Sequence, residues 1–193
     1  MHFRRLACFL LGAWLASGLF MAMVATQNFR SVDRLLAKPA ASAVRQLNKL
    51  GPGARTLLRY QVSEQNRWYF ETWGIAETGI GVALLVVLLF GSSETYATLL
   101  LPLFMLLIVL VQRFVLTPEI VVLGRIIDFI PSDLPSSERS HFWMLHGAYS
   151  GLEVLKWALG LALAARLLFR RKKRSEAVHP DLDLVERRGQ AGE

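Results

Sequence analysis

The sequence predicts an all-α integral membrane four-helix bundle with an amphipathic helical first loop and a short helix after the third span, and three observations predict it. Four long apolar stretches run at about 6–28, 71–91, 96–116 and 143–168. A bilayer core of about 30 Å takes about 20 mainly apolar residues of helix, and each stretch meets that length. Only Ser92, Ser93, Glu94 and Thr95 separate the middle two, which makes them a tight hairpin. A composition 53% hydrophobic, with mean hydropathy +0.38, leaves little chain for a separate water-soluble core, so one membrane domain, residues 1–168, is expected.

Span one follows Arg4 and Arg5, as a signal peptide would, but its apolar run exceeds a signal core of about 7 to 15 residues and closes on no small-x-small site. A retained span is expected. Its helix continues past Gln27 and Asn28 until Pro39 interrupts it. Residues 40–50 place Val44, Leu47 and Leu50 on one side and Arg45 and Lys49 on another. Gly51-Pro52-Gly53 breaks that helix, and Leu57, Leu58 and Val62 then lie among Arg55, Arg59 and Arg67. Such segments suit either a membrane surface or a solvated helical hairpin.

Trp68, Tyr69 and Trp73 open span two as interfacial anchors, with Tyr96 opening span three and Phe142, Trp143 and Tyr149 opening span four. Thr117-Pro118-Glu119 reads as a new helix start, with a capping hydroxyl, a first-turn proline and an acid at the positive end of the dipole. An Arg125/Asp128 pair is expected one turn apart on that helix, which Pro131 and Pro135 end. Residues 169–193 form a basic juxtamembrane segment and a polar tail with little to bury, expected to be disordered.

The net charge of +7 flanks apolar segments and carries no nucleic-acid-binding signature, so anionic lipid headgroups, met by Arg170, Arg171, Lys172, Lys173 and Arg174, are the expected partner. Eleven Lys and Arg lie in loops one and three against eight at the termini, a balance that leaves orientation open. The five adjacent cations favour cytoplasmic termini, and a bacterial cytoplasmic membrane is the expected location. A single cysteine, Cys8, excludes a disulfide framework and any Cys-pair metal site.

Polar groups inside the spans mark the candidate site: Glu77, Arg113, His146, Glu153 and Lys156. An ionised side chain near the bilayer centre costs about 2.5 to 3.5 kcal/mol, so such groups turn inward and find partners. Glu153 lies roughly 15 Å into span four, and Lys156, three residues on, can pair with it. His146, Ser150, Glu153 and Trp157 are spaced to share a face, and Gly147/Gly151 permit close helix approach, either within the monomer or in a homo-oligomer. Gly12, Gly18, Gly74, Gly79 and Gly81 offer the same on spans one and two. Polar groups cluster at the ends of the spans nearest loops one and three, which predicts a polar pocket opening there.

No Gly-x-Ser-x-Gly, His-Glu-x-x-His or phosphate loop occurs, so no enzyme activity and no cofactor are expected. A structural, accessory or interaction role is the first expectation. The alternatives are a small-solute or ion/proton transporter using Glu77, Glu153 and Lys156, and a metal- or haem-binding subunit using His146 with a methionine. His141 and His146 diverge by about 140° around the helix, which weakens the latter.

Leu116-Thr117-Pro118-Glu119-Ile120, the run His141-Phe142-Trp143-Met144-Leu145-His146-Gly147 and the Asn28-Phe29-Arg30 exit from span one resemble an uncharacterised four-span family, a domain of unknown function similar to animal transmembrane protein 205. The resemblance covers most of 6–168 and implies a compact four-helix membrane domain with no assigned reaction. The basic loop from Arg30 to Arg67 is longer than the animal relative's connection, a departure that bears on any shared partner.

Overall fold

A computed structural model describes residues 2–91, 95–131 and 134–169, and among these every regular element is a helix. Helix α1 spans His2–Ala37, α2 Ala41–Leu50, α3 Ala54–Gly91, α4 Tyr96–Val111, α5 Thr117–Ile127 and α6 Ser137–Phe169. The basic cluster at 170–174, the rest of the tail and Ser92, Ser93 and Glu94 lie outside the described residues.

Four long rods make the bundle, because α4 and α5 are joined by a π-helical turn, Gln112–Leu116, and run on as one helix. The expected fresh start at Thr117 is not there. Thr117 has helical backbone angles and its N–H reaches back to Gln112 O, five residues away. Pro118 has no N–H to give, and the wider turn before it carries the chain through without a break.

One spacing rule explains the core. Its buried positions fall at Ala7, Leu11 and Trp14 on α1, Glu77, Gly81, Leu84 and Leu88 on α3, and Lys156, Gly160, Leu163 and Leu167 on α6, while Val32 on α1 and Ala54, Val62 and Asn66 on α3 are buried apart from it where those two helices run on. Thr98, Pro102, Met105 and Val109, followed by Gln112, do the same on the α4 rod. Steps alternating between three and four residues keep one narrow seam facing inward, the geometry of coiled-coil-like bundles. Outside the seam the surface is apolar, with Phe9, Ile75, Val154 and Leu161 all exposed.

Three stretches are long and apolar enough to cross a membrane: Phe3–Ala37, Ala41–Gly91 and Thr98–Ile127. Helix α6 is not among them. It has the length, 33 residues, but Glu153 and Lys156 stand in its middle.

Glycine positions sort differently from their spacing. A Cβ at Gly12, Gly79, Gly147 or Gly151 would meet nothing within 4 Å, so the Gly147/Gly151 motif packs against no helix of the described chain. At Gly81 it would sit 2.9 Å from the Trp14 ring, and at Gly160 2.7 Å from Leu15. Gly91, against Phe3 at 2.5 Å, and Gly124, against Arg67 at 2.9 Å, are equally close approaches.

Residues 54–67 belong to the uninterrupted helix α3, which stands against α1 rather than lying across its end. At 38 residues α3 is about 57 Å long, well beyond a bilayer core. Asn28 Nδ2 donates to Asn66 Oδ1 at 2.7 Å, and Asn66 Nδ2 donates to Ala25 O at 3.1 Å. Asp33 pairs with Arg55 and Arg59 further out. The far ends of α1 and α3 thus form a helical hairpin held by side-chain contacts. Gly51, at φ +57°, turns the chain between α2 and α3, and no residue of α2 is buried.

Arg125 and Asp128 do not pair with each other, contrary to their spacing. Each takes a partner on α3: Arg125 binds Glu64 through two hydrogen bonds of 3.0 and 3.1 Å, and Asp128 accepts from Arg67 at 2.7 Å. Arg67 also reaches Glu64 at 2.6 Å, and it lies over Gly124, where a Cβ would come within 2.9 Å of its guanidinium. Hydrogen bonds and charge from Arg125 and then Arg67 hold the Glu64 carboxyl below its ordinary value. A carboxyl lowered in the folded state contributes stability above its unfolded pKa and loses it as pH falls through the folded one. Acidification below about pH 4 should therefore loosen the α3/α5 contact. In a thermal-melt series against pH, Glu64→Gln should flatten that acid limb; an unchanged limb would show that Glu64 does not contribute to it.

Candidate functional site

The inward seams meet in one polar layer, to which each rod contributes. Trp14 ends the buried stripe of α1, Glu77 begins that of α3, Gln112 ends that of α4 and Lys156 begins that of α6. Lys156 Nζ donates to Glu77 Oε1 and to Glu153 Oε1, both at 2.6 Å. Trp14 Nε1 donates to the same Glu77 oxygen at 2.9 Å. Gln112 Nε2 donates to Glu153 Oε1 at 3.0 Å and to the Tyr149 carbonyl at 3.2 Å.

Burial grades across this set. The Lys156 and Glu77 side chains are each 2% exposed, whereas Glu153 keeps 25%. Two carboxylates face one ammonium, so the layer carries one surplus negative charge when all three are ionised. Coulomb attraction is strong at low dielectric, but the desolvation cost is also large, and such a set persists only when its hydrogen bonds are made. Among the described residues one buried side-chain polar atom lacks a partner: Gln112 Oε1.

Of the five residues singled out in the sequence, the fold brings together Glu77, Glu153 and Lys156. Arg113 is elsewhere. Its Nη1 donates to the Glu71 carbonyl at 3.1 Å, its guanidinium lies 5.4 Å from the Phe114 ring centre, and Gly74 makes room for its stem. His146 is exposed on the flank of α6, stacked on Phe142 at 5.7 Å and edge-on to Trp143 at 5.6 Å. The face His146, Ser150, Glu153 and Trp157 is thus not the buried one. The seam passes through Lys156 and Gly160, because these continue the three-and-four alternation into Leu163 and Leu167.

Trp14 and Gln112 are the members that charge alone does not reveal. A signal for them existed in the same alternation, which lands on both.

The polar ends of the spans do not gather into one pocket either. Asn28/Asn66, Arg113/Glu71 and the central layer are separate constellations. On the loop-three side an open groove of about 600 Å³ lies by Leu134, Pro135, Arg139 and Trp143, apart from the layer. No three of His, Cys, Asp and Glu among the described residues converge to hold a metal. Met105 is buried in the core while His146 faces outward, so these two do not meet.

Compared with family models, with curated proteins and with solved structures, the chain matches none.

Proposed function

We propose that this chain is a four-span integral membrane protein, placed in a bacterial cytoplasmic membrane, whose role is structural or accessory rather than catalytic. The observation that carries the reading is the Lys156-centred layer: charges that a lipid-facing helix would not tolerate are turned inward and joined to Trp14 and Gln112 from the other rods. Helix α6 then crosses the bilayer as part of the bundle, its charges shielded by its neighbours, although it is less apolar than the other three. The exposed aromatic rings support this placement. Trp68 and Phe90 on α3 are both exposed and about 33 Å apart along the helix, close to a bilayer thickness.

The resemblance to the domain of unknown function related to transmembrane protein 205 is consistent with such a scaffold. Cationic side chains beyond the spans, including Arg170 to Arg174, would meet anionic headgroups. The outward Gly147 and Gly151 leave one face of α6 to lipid or to a second copy.

A cysteine scan on a Cys8→Ser background tests this reading in intact membranes. Cysteines at Ile75, Val154 and Leu161 should resist a water-soluble maleimide, while one at Ser31 should react. Aqueous labelling at Val154 and Leu161 would remove the membrane reading, and labelling at Glu153 from water would favour a solute path over a scaffold.

A further inference from the structure

Arg113 and Glu71 carry opposite charges and touch, yet they do not pair as ions. The Arg113 guanidinium donates to the Glu71 carbonyl, not to its carboxylate, at 3.1 Å. Among the described residues no carboxylate forms an ion pair with Arg113, and no cation forms one with Glu71, which is exposed. Most of the guanidinium's donors and both carboxylate oxygens are therefore unspent.

The local fold fixes this arrangement. In the π-helical turn Gln112 takes the inward position of the seam, so Arg113 falls beside α3 on the outer flank of the bundle, half-buried. Gly74 leaves room for its stem, since a Cβ there would lie 3.4 Å from Nη1. The Phe114 ring, 5.4 Å from the guanidinium, is exposed, and so is Ile75. In the membrane reading, on which this inference rests, those side chains face lipid, and Glu71 lies about 5 Å along α3 inside the interface that Trp68 marks. A lone cation at that depth is costly unless an anion meets it.

We propose that Arg113 and Glu71 form a binding site for the head of a zwitterionic phospholipid whose amine carries N–H groups. The lipid phosphate takes the free guanidinium N–H groups in a charge-assisted, forked contact, and the ammonium donates to the Glu71 carboxylate. The acyl chains continue over the apolar surface at Phe114 and Ile75. An anionic head without the amine would set its charge beside Glu71 with nothing to offset it. A quaternary ammonium has no N–H to donate, and inorganic phosphate makes the first contact alone. The two unspent charges thus select one kind of headgroup.

The test offers defined lipids to full-length protein, purified in detergent and stripped of lipid, and reads binding by native mass spectrometry. One phosphatidylethanolamine per chain should be retained, with phosphatidylglycerol and phosphatidylcholine each held about tenfold more weakly, the worth of one charge-assisted hydrogen bond. Arg113→Gln should weaken phosphatidylethanolamine binding about tenfold or more. Glu71→Gln should weaken it by a similar factor and raise phosphatidylglycerol to at least the same level, a reversal that loss of fold does not produce. Three results would each overturn the proposal: equal retention of the three lipids by the wild type, unchanged phosphatidylethanolamine binding in either variant, or its displacement by inorganic phosphate, which would make the ligand a free anion. Both side chains lie outside the seam, so both variants should melt like the wild type; if Arg113→Gln does not fold, the Glu71→Gln reversal decides. Lipid selection is read in detergent and span placement by cysteine labelling in membranes, so failure of the site and failure of the membrane reading are told apart.

Discussion

Lys156→Met should lower the stability of the bundle by about 3 to 5 kcal/mol, the usual loss when one partner of a buried charge set is removed. Methionine fills nearly the same volume, so the loss is electrostatic rather than a cavity. It strands Glu77, 2% exposed, with Trp14 as its remaining donor, and it leaves Glu153 with only Gln112. Chemical unfolding in detergent, followed by tryptophan fluorescence, measures it. The double variant Glu77→Gln with Lys156→Met should recover most of the loss, because a neutral amide no longer asks for a cation and can still accept from Trp14. Recovery is the informative arm: a replaced ion pair can be as stable as the original, whereas a broken one is not. A single-variant loss below about 1 kcal/mol would mean that the layer does not hold the rods together.

The difference between what the sequence reveals and what it hides follows from where each signal resides. Span lengths are local, and the rods emerge where hydropathy places them. The Glu153/Lys156 contact is local too, one turn of one helix, and is present at 2.6 Å. Arg125 and Asp128 show the limit of that argument. They have the same separation, but stronger partners on α3, Glu64 and Arg67, take each of them away. Helix spacing states which side chains can meet and says nothing about competitors from elsewhere.

The central layer failed to show for a related reason. Glu77 and Lys156 are 79 residues apart and Trp14 and Glu77 are 63 apart, separations over which only the packing register decides who meets whom. That register was present as the alternation of three and four. Hydrophobicity conceals it, since the outward faces of these rods are themselves apolar and the usual amphipathic contrast disappears. His146 illustrates the consequence: an imidazole in an apolar run draws attention, yet it lies outside the seam. Thr117-Pro118 misleads in another way, because its start signals are genuine but the π-helical turn removes the need for a break.

Trp14 carries the second large effect, and its substitutions separate packing from hydrogen bonding. Its side chain is among the largest fully buried ones, with Gly81 beneath the ring. Truncation to alanine opens a large cavity and removes a donor from Glu77, which together should cost about 3 to 5 kcal/mol. Trp14→Phe keeps one aromatic ring and loses the N–H together with the rest of the indole, so its cost should fall below that of alanine and contain the about 1 to 3 kcal/mol of a buried acceptor deprived of one donor plus a smaller cavity contribution. If the two contributions couple through Glu77, Trp14→Phe should cost less in a Glu77→Leu background than in the wild type, a difference that a double-mutant cycle reads directly. Equal costs in both backgrounds would show that the indole serves only to fill space. The Gly81 contact supplies the converse: a Cβ there would lie 2.9 Å from a ring that cannot bend, so Gly81→Ala should push Trp14 from Glu77 and weaken the same bond from the opposite side. Because the indole and the carboxylate belong to different rods, these variants together measure how far the polar layer, rather than apolar packing alone, fixes the register of α1 against α3.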